Sequence, residues 1–169
     1  MWAYKYGMVR LKDMPGYALW YLLKPDHVLH GRIRQLGESL GGTTLPAHIP
    51  LLSNLTLFST AVQLFNAYNR KARPTFTISS RPTVISIPGQ RHLMFQVTSE
   101  NPYSLWHLPI TSREHMYYHS ETKHINLEVG TIHPDDYDLV LMDTRYLDTK
   151  LWCPVSTSQR SQARDNGIE

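Results

Sequence analysis

Two of the nine histidines stand at the head of short apolar runs. His48 opens "HIPLLSNL" and His124 opens "HINLEVG". A buried strand has no ordinary use for an ionisable ring, so both are candidates for chemistry. The free imidazole titrates near neutrality and can take or give a proton there. Two such rings facing one another across a phosphodiester can divide the work. One takes a proton from attacking water and the other protonates the leaving oxygen, each transfer contributing about 10²–10⁴-fold in rate. Strand alternation puts His48, Pro50 and Leu52 on one face, and His124, Asn126 and Glu128 on another. If the two strands are neighbours, both rings line one groove. The residue two places on would donate a hydrogen bond to the phosphate oxygens. Asn126 can do so through its amide, whereas Pro50 has neither a side-chain donor nor an N–H.

Those histidines need strands to hold them. "YALWYLL" (17–23) is a continuous apolar run that suits a strand buried on both faces. A helix follows over 26–42, with Asp26 as cap and Gly41-Gly42 as stop. Residues 47–58 read as strand and then loop. Residues 59–71 read as a helix capped by Ser59 or Thr60. Strand-like runs come at 75–80, 83–88 and 92–99, then a short helix or irregular stretch at 101–114. A strand is expected at 124–129, a turn or short helix at "HPDDYDLV", and one or two closing strands over 139–155. The order implies an α+β fold with a mostly antiparallel sheet. Residues 1–16 read as an arm, 17–155 as one domain, and 156–169 as a polar flexible tail.

Composition narrows the function classes. With 169 residues, 41% apolar and 18% charged, the chain reads as one globular domain. A net charge of +3 fits a small anionic ligand and is too weak to argue for long nucleic acid. The single cysteine rules out an internal disulfide. No apolar run approaches the roughly 20 residues of a membrane span, and no signal peptide is evident. These features suggest a soluble cytoplasmic protein. No G-x-G-x-x-G or P-loop is present.

Other residues compete for attention. Tyr117 and Tyr118 precede the second run and could stack on a base. Arg81, Arg91 and Arg113 could touch phosphates. His27 and His30 suit a solvated helix face. His115 and His119, with His124, have a spacing that could ligate zinc, but no His-Glu-x-x-His pattern supports it. A shifted register, "SNLTLF", would put Asn54 in place of the first histidine and leave one imidazole only.

With both runs, the opening strand "ALWYLLKPD" and "HINLEVGTIHPDDYD" in view, residues 17–155 resemble the two-histidine (2H) phosphoesterases, in their cyclic phosphodiesterase-like branch. The resemblance implies a bilobal fold in which two antiparallel sheets form a central groove with helices packed outside. It implies metal-independent hydrolysis, without a cofactor, of a nucleotide phosphodiester: a 2′,3′-cyclic end, a 2′-5′ oligoadenylate or a cyclic oligonucleotide signal. His48 and His124 would be catalytic, with the nucleophile activated by His124 and the leaving oxygen protonated by His48, or the reverse. Asn126, Pro50, Tyr117 and Tyr118 would contact the substrate, a small nucleotide or short oligonucleotide. Such a protein would suit a virus that destroys a nucleotide signal in the host cytoplasm. The departures are Pro50 and, more mildly, Asn126, where the family has Thr or Ser. They leave two alternatives open: a weakened module that sequesters a nucleotide in the same groove, or an interaction domain in which the motif is chance.

Overall fold

A computed structural model describes residues 16–39, 43–87, 90–101, 105–113, 130–145 and 151–158. In chain order the elements are β1 (Tyr17–Leu23), α1 (Val28–Ser39), β2 (Thr43–Thr44), β3 (His48–Leu55), α2 (Phe58–Asn69), β4 (Phe76–Ile87), β5 (Gln90–Thr98), β6 (Leu105–Arg113), β7 (Thr131–Ile132), β8 (Tyr137–Asp143) and β9 (Cys153–Ser158). A 3₁₀ turn, Pro134–Asp136, leads into β8. They form two sheets, ordered β3-β1-β8-β9 and β2-β6-β5-β4-β7. Every pairing is antiparallel. The architecture is α+β, two antiparallel sheets with helices packed against them.

β1 is apolar on both faces because it is an inner strand with work on both sides. Tyr17, Leu19, Tyr21 and Leu23 join the main core. Ala18 and Trp20 join a second cluster with Val140 and Met142 of β8, against which Leu22 and Trp152 pack. On the main-core side, α2 lies against β1, β3 and β8, while α1 lies against β2 and β6. The helices contribute Leu29, Ile33, Ala61 and Phe65. Phe76, Ile78, Phe95, Val97, Leu108 and Ile110 of the five-stranded sheet complete the same core. Strand and core are fastened together by Arg73, whose Nη1 and Nη2 donate to the carbonyls of Tyr137 and Ser158 at 3.0 and 2.9 Å.

Several local expectations need correction. Residues 105–113 are a strand, not helix or irregular coil: Trp106, Leu108 and Ile110 alternate inward, and Pro109 sits where the β5–β6 register shifts. The runs at 75–80 and 83–88 are one strand, β4, with Pro82 at a register shift against β5. Such a bulge absorbs a residue that cannot donate to the ladder. α2 begins at Phe58 with Leu57 in the N-cap place and no side-chain cap, so neither Ser59 nor Thr60 caps it. The N–H of Leu29 in α1 donates to His27 Nδ1 at 3.2 Å. β9 runs to Ser158, so the first residues assigned to a polar tail are sheet. The expected arm, the Gly41-Gly42 stop, the strand at 124–129 and the metal-spaced His115 and His119 lie outside the described residues. Among the described residues no helix is long and apolar enough to cross a membrane.

Candidate functional site

β3 brings His48 to the face of the four-stranded sheet opposite the main core. The register fixes this. Leu22 of β1 pairs with His48 on one side and with Asp138 of β8 on the other. Trp20 likewise stands between Pro50 and Val140. Residues opposed across a ladder share a face, so His48, Pro50, Leu22, Trp20, Asp138 and Val140 all project to the same side. The intervening Ala47 and Ile49 belong to the main core. The alternation expected for His48 and Pro50 is therefore observed, whereas Leu52, expected on the same face, is turned to the main core opposite Leu19 by a register shift in the β1–β3 ladder.

His48 is 2% exposed. Its ring is stacked on the indole of Trp20, centroids 3.7 Å apart and planes within 19°. Nδ1 lies 2.7 Å from the carbonyl oxygen of Pro46. A carbonyl only accepts, so Nδ1 carries the proton and Nε2 presents its lone pair. Burial pushes the pKa down to about 4, against the partial support of the Pro46 carbonyl, and nearby His30 pushes the same way. A group that low is uncharged at neutral pH. About one molecule in a thousand carries the imidazolium at pH 7. His48 thus has the tautomer and charge of a proton acceptor, not of a donor.

A cleft of about 660 Å³ opens beside this row, lined in part by Leu22, Pro25, His30, Arg34, Leu45 and Pro46. It shares Leu22 with the His48 row and Pro46 with the bond that orients the ring. His30 Nε2 is 2.5 Å from the carbonyl oxygen of Leu23 and donates to it. His27 Nε2 lies 3.8 Å from Asp136 Oδ2. Both histidines are partly buried, so the expectation of a solvated pair on the helix is corrected. Arg73, shortly after α2, is engaged with carbonyls. The side chains of Arg81, Arg91 and Arg113 lie outside the described residues.

Pro50 fits its strand because β3 ends its sheet among the described residues, where a missing N–H is tolerated. Asn54 argues against the shifted register. It is exposed and has φ of 65°, a left-handed turn conformation, so it does not stand as a groove-facing strand residue. His124, Asn126, Tyr117 and Tyr118 lie outside the described residues. The chain directly after that segment is described: Gly130 O accepts from Ile78 N at 3.0 Å, and Thr131–Ile132 pairs with β4 in the five-stranded sheet.

Two residues of this face carry signals that the sequence reading passed over. Trp20 was legible only as core, yet it is the stacking partner of His48. Asp138, inside a stretch read as a turn or short helix, has a buried Oδ1 with no hydrogen-bond partner among the described residues. The alternation of Asp138 with Val140 and Met142 is the pattern that points it to the same side as Trp20. Compared with known proteins, the chain matches no family model and no curated sequence.

Proposed function

We propose that the chain is a paired-histidine phosphodiesterase acting on a nucleotide phosphodiester, with His48 as its general base. The observation that carries this reading is the state of His48: buried, stacked on Trp20, with Nδ1–H held by the Pro46 carbonyl and Nε2 free of a proton. An imidazole fixed in that tautomer offers an unprotonated Nε2, and becomes an effective base once substrate raises its pKa toward neutrality. Water would attack phosphorus as its proton passes to Nε2. The bond from phosphorus to the leaving oxygen then breaks, and that oxygen takes a proton from His124. This order exchanges the two roles favoured at first from the sequence, because a group with a pKa of about 4 is a poor acid to hold charged at pH 7. Bringing an anionic phosphate within about 4–6 Å of the ring raises that pKa and strengthens the base.

The groove and the bilobal arrangement of the 2H phosphoesterases belong to this proposal, as do Asn126 as holder of a non-bridging oxygen and Tyr117 and Tyr118 as stacking residues. The substrates in view are 2′,3′-cyclic nucleotides, 2′-5′ oligoadenylates and cyclic oligonucleotides. Removing such a signal from a host cytoplasm is the biological role that this activity would serve. Arg34 in the neighbouring cleft gives an anionic ligand a cationic flank.

A second reading, a module that binds the nucleotide without turnover, is favoured by one observation: Pro50 shares the His48 face and offers no donor to a phosphate oxygen. Cleavage assays with EDTA on the three substrate classes separate the two. Turnover that is lost in both His48→Ala and His124→Ala supports the enzyme. Binding of the same compounds without turnover supports the module, and neither binding nor turnover sinks both.

A further inference from the structure

We propose that the cleft beside α1 binds a medium-chain alkyl carboxylate, at a site apart from the buried His48 row. The cleft has the room, about 660 Å³, within the range of small-molecule pockets. Its walls are largely aliphatic, from Leu22, Leu23, Leu45, Pro25 and Pro46. Polar backbone groups of those walls are already bonded within the chain. Leu23 N donates to Ala47 O at 3.0 Å, and Leu23 O accepts from His30 Nε2 at 2.5 Å. Pro46 O accepts from His48 Nδ1 at 2.7 Å, and neither proline has an N–H. A sugar or a base entering between such walls loses hydration that they do not return. An alkyl chain has none to lose, and gains by leaving water.

Arg34 supplies the charge. His30, Gly31 and Arg34 share the face of α1 that lines the cleft, as helical spacing dictates. Arg34 is exposed, and among the described residues it makes no hydrogen bond or ion pair. No aspartate or glutamate is among the described residues that line the cleft. A guanidinium fork left without a partner suits a carboxylate, which it can hold through two parallel bonds. Gly31 is an independent sign of room for a ligand. Glycine inside a helix is less stable than alanine, and here neither backbone nor packing asks for it. Beyond its own stretch of α1, no atom lies within 4 Å of the place a Cβ would take. The bare position keeps the cleft open on its α1 side, where a large side chain would fill it.

Titration calorimetry with hexanoate, octanoate and decanoate tests the site. Octan-1-ol and octylammonium serve as neutral and cationic probes of the same tail length. Arg34→Gln and Gly31→Phe run beside the parent, each checked for folding by its thermal melt. The parent should bind one octanoate per chain, with affinity rising about threefold for each added methylene. Octanol should bind about tenfold more weakly, and octylammonium more weakly still. Arg34→Gln should erase the preference for octanoate over octanol, and Gly31→Phe should abolish binding of both. Absence of saturable binding by all three acids overturns the assignment. So does equal affinity for octanoate and octylammonium, or binding undiminished in a folded Gly31→Phe. Should that variant not fold, a preference for octanoate that survives in Arg34→Gln overturns it equally. No nucleotide enters these measurements, so the site stands or falls apart from the phosphodiesterase reading.

Discussion

Replacing His48 with glutamine gives a stability test that needs no substrate. In the folded chain burial holds this imidazole at a pKa of about 4, against 6.5 for the free side chain. As pH falls through 6.5 the unfolded chain takes up a proton that the folded chain refuses. Stability therefore falls as pH falls between 6.5 and 4, and is fully retained above 6.5. The proton accounts for a loss of about 2 kcal/mol between pH 7 and pH 5, growing to about 3 kcal/mol at pH 4. No discount for solvent applies, since the ring is buried. Urea unfolding of the parent and of His48→Gln at pH 7, 6 and 5 isolates the effect, because other titrating groups cancel in the difference. The parent's advantage over the variant should shrink by about 2 kcal/mol across that range. A difference that stays flat, or grows as the solution is acidified, would refute the reasoning. It would mean an imidazolium already paired with an acid in the folded chain.

Three further outcomes follow from the same geometry. Trp20→Leu strips the stacking surface from His48, so its titration by NMR should move up from about 4 toward 6.5, with a stability loss of about 2–4 kcal/mol. Pro50→Thr returns a hydroxyl to the phosphate side of the face and should raise kcat, by up to about 10²-fold if that donor reaches the transition state; an unchanged kcat would place the phosphate elsewhere. Arg73→Met cuts the two charged hydrogen bonds to the Tyr137 and Ser158 carbonyls, which should cost about 2–3 kcal/mol and speed amide exchange in β9 before β1.

Some of this was plain in the residues. "YALWYLL" suits a strand buried on both faces, and β1 is one. The helix expected over 59–71, from Val62, Phe65 and Tyr68 three apart, runs Phe58–Asn69, although its start lacks the capping side chain that the rules anticipate. The misses share a cause. Pro82 falls between two runs expected as separate strands and Pro109 within a stretch expected as helix or irregular, and a proline cannot feed a regular ladder. Each sits at a bulge, where the register slips and the lost donor no longer matters. Nothing local in the sequence announces a bulge; it is set by what pairs opposite. The site divides similarly. The type of residue at position 48 drew attention, but its protonation state depends on Trp20 and Pro46, which arrive through the fold. Asp138 was hidden because the row through Leu22, on which it stands with His48, joins three strands far apart in the chain.

The proline in β3 has a bearing on association as well as chemistry. Among the described residues β3 forms the end of its sheet, and an unpaired strand edge is a template on which another chain can add its own strand. A residue without an N–H in the middle of that edge breaks the row of donors such an intruder would need. The position that a phosphate would prefer filled by threonine is thus also a guard against unwanted strand addition. A chain that recovers the hydroxyl there gains a donor for substrate and, by the same exchange, a stickier edge.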